Sequence, residues 1–355
     1  MKLNAFDELH KLISEQCIMK CFLQANQLLI IMIQEGNMIT EIKKSSALNG
    51  KKISFPQKVK KDFEKNKLLY LMIIPVIVFY ALFCYKPMYG IILAFKEYSP
   101  NLGIIGSKWV GLKYFQDFIT SVFFTRTLRN TIVINVTNLI FGFPAPIILA
   151  LLINELKNKY FARTVQTISY LPHFLSTVVV CGMILDFTRN TGVVNDIIAL
   201  FGGERETLLN IPGFFVPVYI ISDIWQEFGW GSIIFLAALS GVDQELYEAA
   251  KIDGANRWQQ TLHISLPCIM QTIIVLLILR IGNMLNLGFE KIILLYNPAI
   301  YETSDVISSF VYRKGLQEFN FGYSTAVGLF NSIVNFVLLI SANKLSKKFN
   351  ESSLW

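Results

Sequence analysis

Between Glu248 and Pro267 a polar island, EAAKIDGANRWQQTLHISLP, interrupts two long apolar segments. Glu248 brings a carboxylate, and Ala249 and Ala250 make a smooth floor beside it on which a foreign backbone can approach closely. Asp243 is placed to cap a short helix over 244–252, and Asp253-Gly254 ends it, glycine supplying the left-handed turn that a helix C-terminus favours. Asn256 and Gln259 have the spacing of a capping box, opening a second helix. Ile264, Leu266 and Pro267 then return the chain to apolar sequence, proline being tolerated in a first helical turn. The product is a helix–turn–helix knob with one carboxylate, suited to seating in a cleft of another protein. Its chemistry is docking rather than bond-making.

A second group lies in the preceding apolar run: Asp223, Trp225, Gln226, Glu227 and Trp230. Aromatic faces beside hydrogen-bonding groups suit sugars, whose C–H faces stack while their hydroxyls need partners. The same residues also fit an interfacial aromatic belt. Asn283 and Asn286 in the following run read either as lining of a polar path or as hydrogen-bonding glue between helices. Arg280 is the one basic residue well inside an apolar run, and Glu227 or Asp186 is its expected partner. His173 and His263 stand alone and read as structural. There is no metal-ligand cluster, no Ser/His/Asp constellation, and no G-x-x-x-x-G-K-[ST] to cradle phosphates. The chain reads as a non-enzyme that binds no cofactor itself.

The elements that position these groups follow from composition. The chain has 355 residues, 53% of them hydrophobic, arranged in runs long enough to cross a bilayer, which takes about 20 residues each. Spans are expected near 68–86, 130–153, 165–186, 213–240, 266–288 and 322–342. That makes an all-α integral membrane protein with six transmembrane helices and both termini on one side. The formal net charge of +7 lies mostly beside the apolar runs, where it orients the chain rather than binding nucleic acid. Nine lysines fall between 43 and 67, and Lys58, Lys60, Lys61, Lys65 and Lys67 crowd the first span. They place the N-terminus, 1–67, in the cytoplasm, and with it the polar loop at about 241–267 and the tail at 343–355.

The first 37 residues precede a second methionine, Met38. They are read as lying ahead of the natural start, with an amphipathic surface helix as the alternative. Five cysteines, an odd number, supply no disulfide framework. Cys84, Cys181 and Cys268 read as free small hydrophobes, and Cys17 and Cys21 as a chance pair.

The Glu248–Pro267 segment resembles, at every anchor position, the EAA loop of binding-protein-dependent ABC importer permeases of the maltose-type carbohydrate superfamily. Three further segments look like one branch of it, the polygalacturonan/rhamnogalacturonan and multiple-sugar permeases. They are Lys86-Pro87-Met88-Tyr89-Gly90 through Tyr98, Trp109-Val110-Gly111-Leu112-Lys113-Tyr114-Phe115, and Glu351-Ser352-Ser353-Leu354-Trp355. The resemblance covers roughly 60–355. It implies the type I permease fold in a bacterial cell membrane and a heterodimer with a second homologous permease. It also implies two ATPase subunits that use ATP and Mg, and an extracellular sugar-binding lipoprotein that delivers an oligosaccharide. Glu248, Ala249, Ala250, Asp253, Gly254, Ile264, Leu266 and Pro267 would couple to the ATPase. An importer for a peptide, amino acid or polyamine, or a secondary transporter, are the competing readings.

Overall fold

The computed structural model describes residues 67–286 and 288–350. The reading of Met38 as the start, the lysines before Lys67, the Cys17/Cys21 pair and the last five residues lie outside them. Two compact units divide the chain, one ending at Ser107 and the other running from Lys108 to Ser353.

In the first unit helix α1, Lys67–Phe79, continues through a π turn at Tyr80–Tyr85 into a 3-10 stretch at Tyr89–Phe95. Pro87 has no N–H to offer the carbonyl one turn back, so the regular ladder cannot persist there. Leu71, Ile73, Ile74 and Ile77 are exposed, as expected of a helix whose solvent is lipid. Beyond it Lys96 Nζ donates to the Ile104 and Ile105 carbonyls at 2.7 and 3.0 Å and closes the following loop. Cys84, expected to be free, is disulfide-bonded, whereas Cys181 and Cys268 are free. An odd cysteine count rules out complete pairing, not a single bond.

The second unit is built of helices. α2, Val122–Thr137, runs through a π turn at Asn138–Gly142 into α3, Pro144–Asn154. The turn widens because Pro144 cannot donate, and Phe143 N–H reaches back to the Asn138 carbonyl instead. α4, Lys159–Tyr170, is capped by Asn158, which accepts the Tyr160 and Phe161 N–H groups. The span expected to be continuous over 165–186 breaks here. Pro172 starts a 3-10 turn at Leu171–Phe174, and Ser176 caps a new helix, α5, Thr177–Thr188. α6, Pro212–Ser240, has 29 residues and is about 43 Å long at 1.5 Å per residue. α7, Gln244–Ile252, and α8, Arg257–Gln260, form the polar loop. α9, Met270–Gly282, follows a bend of 61° and ends before the expected 288, the chain unwinding over Asn283–Asn286. α10, Phe289–Leu295, α11, Ile307–Tyr312, and α12, Phe321–Asn350, complete the unit.

Among the described residues, Ile73–Phe95, Val122–Asn154, Thr177–Leu200 and Phe321–Lys348 are long and apolar enough to cross a membrane. The bent pair Arg257–Cys268 and Met270–Gly282 makes a fifth if counted as one. α6 is long enough but is diluted by Asp223, Gln226 and Glu227.

Three apolar clusters hold the second unit together. Phe215, Tyr219 and Ile220 of α6 pack with Ile134, Cys181, Ile292, Leu295 and Ile300. Further along α6, Phe235 and Leu239 pack with Ile147, Ala150 and Ile269. Phe118, Ile307, Phe310 and Val327 form the third. Two glycines permit close approach: a Cβ on Gly229 would strike the Ser169 carbonyl, and one on Gly282 the Leu339 side chain.

Asp305 is fully buried and takes two bonds from Arg313 (2.8 and 2.7 Å), one from Arg126 (2.8 Å) and one from Ser309 (2.9 Å). Removing one member of a buried charged cluster strands the others. Asp305→Ala is expected to cost about 3–5 kcal/mol, read as a lower thermal unfolding midpoint in detergent. A midpoint unchanged by the substitution would show that the arginines are already hydrated.

Candidate functional site

The loop between α6 and α9 folds as its residues dictate. Asp243 accepts the Glu245 N–H at 3.0 Å, and Gly254 has φ +80°, the left-handed turn expected of it. Asn256 and Gln259 cap one another reciprocally at 2.9 and 2.8 Å. Glu248 and Ala249 are exposed, while Ala250, Asp253, Gly254, Gln259, His263 and Ile264 line a groove of about 310 Å³. Leu266 opens the short helical turn Leu266–Cys268 before the bend, and Pro267 stands second in it, where a missing N–H costs nothing.

Internal bonds make the knob stiff. Tyr247 Oη and Ser265 Oγ are 2.8 Å apart, and Gln260 Nε2 donates to the Ala255 carbonyl at 2.8 Å. Arg257 and Thr261 both reach Glu155 at the end of α3: Arg257 Nη1 donates to its carbonyl at 3.0 Å, and Thr261 Oγ1 lies 3.3 Å from its carboxylate. Ile252, 88% exposed, and Trp258, 70% exposed, project from the knob. Sequence reasoning passed over these two, although apolar residues stranded in a polar loop are a signal of contact with another protein.

The second group assembles on α6. Asp223, Glu227 and Trp230 share one face by helical spacing. Asp223 accepts from Asn138 Nδ2 at 2.7 Å and lies 3.5 Å from Lys291 Nζ. A Cβ on Gly142 would collide with the Asn138 side chain, so glycine there leaves room for this contact. Lys291 is only 5% exposed, its ammonium over the Tyr219 ring at 5.2 Å. Lys291, at the start of α10, is thereby held against α6, where it offers the Asp223 carboxylate an opposite charge.

Glu227 Oε2 is 3.0 Å from His173 Nδ1. The His173 ring stacks on Trp230 at 4.5 Å and 3°, with Phe174 edge-on at 5.7 Å. His173, taken as a lone structural residue, therefore belongs to the site. It arrives through the Pro172 break between α4 and α5, which no periodicity in the sequence announces. Other expected members are elsewhere. Trp225 lies on the opposite side of α6, Gln226 is buried against the Leu175 carbonyl, and the Asn283 side chain donates to the Leu279 carbonyl. Asn286 accepts from Asn331 and Asn335 at 3.1 and 2.9 Å, joining the unwound end of α9 to α12 as interhelical glue. Arg280 has neither expected partner, since Glu227 binds His173 and Asp186 binds Arg189.

A helical bundle with a polar seam and a projecting polar loop has the form of a membrane transport subunit. Residues 142–351 match the family described as binding-protein-dependent transport system inner membrane component, and the chain belongs to that family. It is a multi-pass membrane protein. It is 47% identical over 307 residues to Protein LplB of Bacillus subtilis strain 168, covering 86% of this chain and 95% of that one. It is also 47% identical over 292 residues to the polygalacturonan/rhamnogalacturonan transport system permease protein YteP of the same organism, covering 82% and 91%. Among solved structures it matches a chain of a bacterial ABC transporter involved in import of the acidic polysaccharide alginate. The identity is 44% and the TM-score 0.76, over 82% of this chain and 99% of that one. The same transporter with an alginate pentasaccharide-bound periplasmic protein also matches at TM-score 0.76. The chain thus has the type I ABC permease fold.

The Asp223–Lys291 pair gives a direct test of how the seam is held. Lys291→Ala is expected to strand a carboxylate and cost about 3–5 kcal/mol, whereas Lys291→Met with Asp223→Leu should recover most of that loss. Thermal unfolding of the purified variants compares them. Equal destabilisation in the single and double variants would mean that packing, not charge, dominates.

Proposed function

We propose that this chain is one of two homologous permease subunits of an ATP-driven oligosaccharide importer in a bacterial cytoplasmic membrane. The observation that carries the reading is the preformed knob, Asp243–Pro267, stiff within itself, tied to α3 and continuous with α6. Such a body transmits a push without deforming. In this reading Glu248 pairs with a basic residue of an ATPase subunit, Ala249 and Ala250 admit its backbone, and Ile252 and Trp258 enter its cleft. Asp253 and Gly254 set the turn, and Ile264, Leu266 and Pro267 pass the motion to α9. Two ATPase subunits supply ATP and Mg chemistry, and an extracellular lipoprotein delivers the sugar. α6 is the sixth crossing beside the five apolar ones, with 1–67 and 343–355 in the cytoplasm. Carboxylates at its middle face the translocation path, where water replaces lipid. The stacked His173–Trp230 pair beside Glu227 favours a sugar over a peptide, amino acid or polyamine, and the names of the relatives given above agree.

Glu248→Ala is expected to leave the protein inserted and assembled but to abolish substrate-stimulated ATP hydrolysis in the reconstituted complex. Truncating one partner of a buried interfacial charge pair costs ~2–5 kcal/mol. Undiminished uptake by that variant would remove the coupling role. Topology is checked separately, in a cysteine-free background. Single cysteines near 105 and 205 should react with an impermeant thiol reagent outside intact cells, and those near 158, 256 and 350 only after permeabilisation. Labelling of position 256 from outside would defeat the importer reading.

A further inference from the structure

The apolar stretch Ile73–Phe95 ends one residue before Lys96, and a few residues on, 99–107 carry no charge at all. The largest side chains of that loop face outward, Leu102 being 62% exposed and Ile105 86%. Apolar side chains offered to the surroundings by a closed loop mark a surface of contact.

What they touch follows from how the loop is closed. Lys96 Nζ donates to the Ile104 and Ile105 carbonyls at 2.7 and 3.0 Å. Those carbonyls thus lie within one side chain's length of the end of the span, and the tip cannot rise far from the bilayer surface. The same closure satisfies the backbone. The Ser99 carbonyl accepts the Leu102 and Gly103 N–H groups, both at 3.1 Å. Ser107 Oγ accepts the Ser99 N–H at 3.1 Å and donates to the Gly103 carbonyl at 2.6 Å. Pro100 has no N–H to satisfy, and Gly103, with φ +63°, turns the chain without steric cost. Irregular backbone is kept out of lipid because its polar groups lack partners there. Here the loop and Lys96 supply them.

We propose that residues 99–107 form a lipid anchor. Leu102 and Ile105 dip into the headgroup and acyl-chain boundary of the leaflet in which the first span ends, and Lys96 seals the backbone that carries them. Phe83, Tyr85 and Tyr89, toward the end of the span, are exposed as well, so the tip prolongs an apolar belt turned to lipid. Lys96, an apolar stem with its ammonium at the interface, has the form of a snorkelling lysine. A protein partner fits the tip less well. Protein interfaces draw their anchors from Tyr, Trp and Arg, and residues 99–107 contain none of these. An anchor this close to the span fixes the depth at which its end sits in the bilayer.

The test uses the full chain, with the subunits that copurify with it, in lipid nanodiscs. A nitroxide is attached at Ile105→Cys, and at Glu97→Cys and Lys108→Cys as flanking controls, in the cysteine-free background. Its collisions with oxygen, which concentrates in the bilayer, are compared with those of a water-soluble nickel chelate. The expected result is a loss of nickel access and a gain of oxygen access at 105 relative to 97 and 108. A thiol reagent confined to water should accordingly react at 108 ahead of 105. Lys96→Met strands two carbonyls and should restore nickel access at 105, whereas Lys96→Arg keeps its donors and should not. Nickel access at 105 equal to that at 108 overturns the inference. Exclusion of both oxygen and nickel at 105 also overturns it, giving the tip to a protein partner. Continued nickel exclusion at 105 in the Lys96→Met chain overturns the sealing role of the lysine.

Discussion

Asp223 and Glu227 sit near the middle of a 29-residue helix, where a carboxylate facing hydrocarbon is costly and a paired or hydrated one is tolerable. Much of the second unit answers to that constraint. The π turn at Asn138–Gly142 brings an amide to Asp223, and the unwinding after Gly282 lets Lys291 return to it. The Pro172 break gives Glu227 its imidazole. Each is a departure from regular helix, and each delivers a polar group to α6. In a bilayer such departures survive only where the freed backbone groups find partners in protein or water.

The same helix ends in the polar loop, and this continuity links the loop to the polar seam mechanically. From Glu227 to Ser240 is about 20 Å of uninterrupted α-helix at 1.5 Å per residue. Phe235 and Leu239 clamp its C-terminal end to α3 through Ile147 and Ala150. Glu155, at the end of α3, holds Arg257 and Thr261 of the knob. Helix, loop and neighbour thus close a packed triangle, which is rigid because interiors at crystal-like density deform little. A displacement of the knob has few soft joints in which to dissipate. The unwound stretch at Asn283–Asn286 is one place where backbone torsions are free of a helical ladder. Its Asn286–Asn331–Asn335 bonds keep it attached to α12.

The fold of the polar loop was almost wholly legible because its signals are local. Asp243, Gly254, Asn256 and Gln259 act on backbone groups within four residues, so type and spacing suffice to forecast caps and turn. The polar seam was legible only as a list. Asp223, Glu227 and Trp230 share a face by helical period, but Trp225 was grouped with them by proximity in sequence and lies elsewhere, and of the two readings open for Asn286 only the contacts with Asn331 and Asn335 select interhelical glue. Lys291 and His173 were missed because their partners lie 68 and 54 residues away, and no period connects them. Arg280 was noticed as a charge out of place, yet the sequence supplied it with partners that are committed to His173 and Arg189.

By itself the sequence determined the membrane class, the approximate positions of the apolar runs, the form of the polar loop and its resemblance to the EAA loops of importer permeases. Those properties follow from hydropathy summed over about 20 residues and from hydrogen bonds within a single turn. The tertiary structure alone decided which charges neutralise one another, where the third and fifth runs break, and which side chains share the seam. Such pairings depend on where distant helices meet. They are settled by the electrostatic cost of leaving any charge at membrane depth without a partner or water.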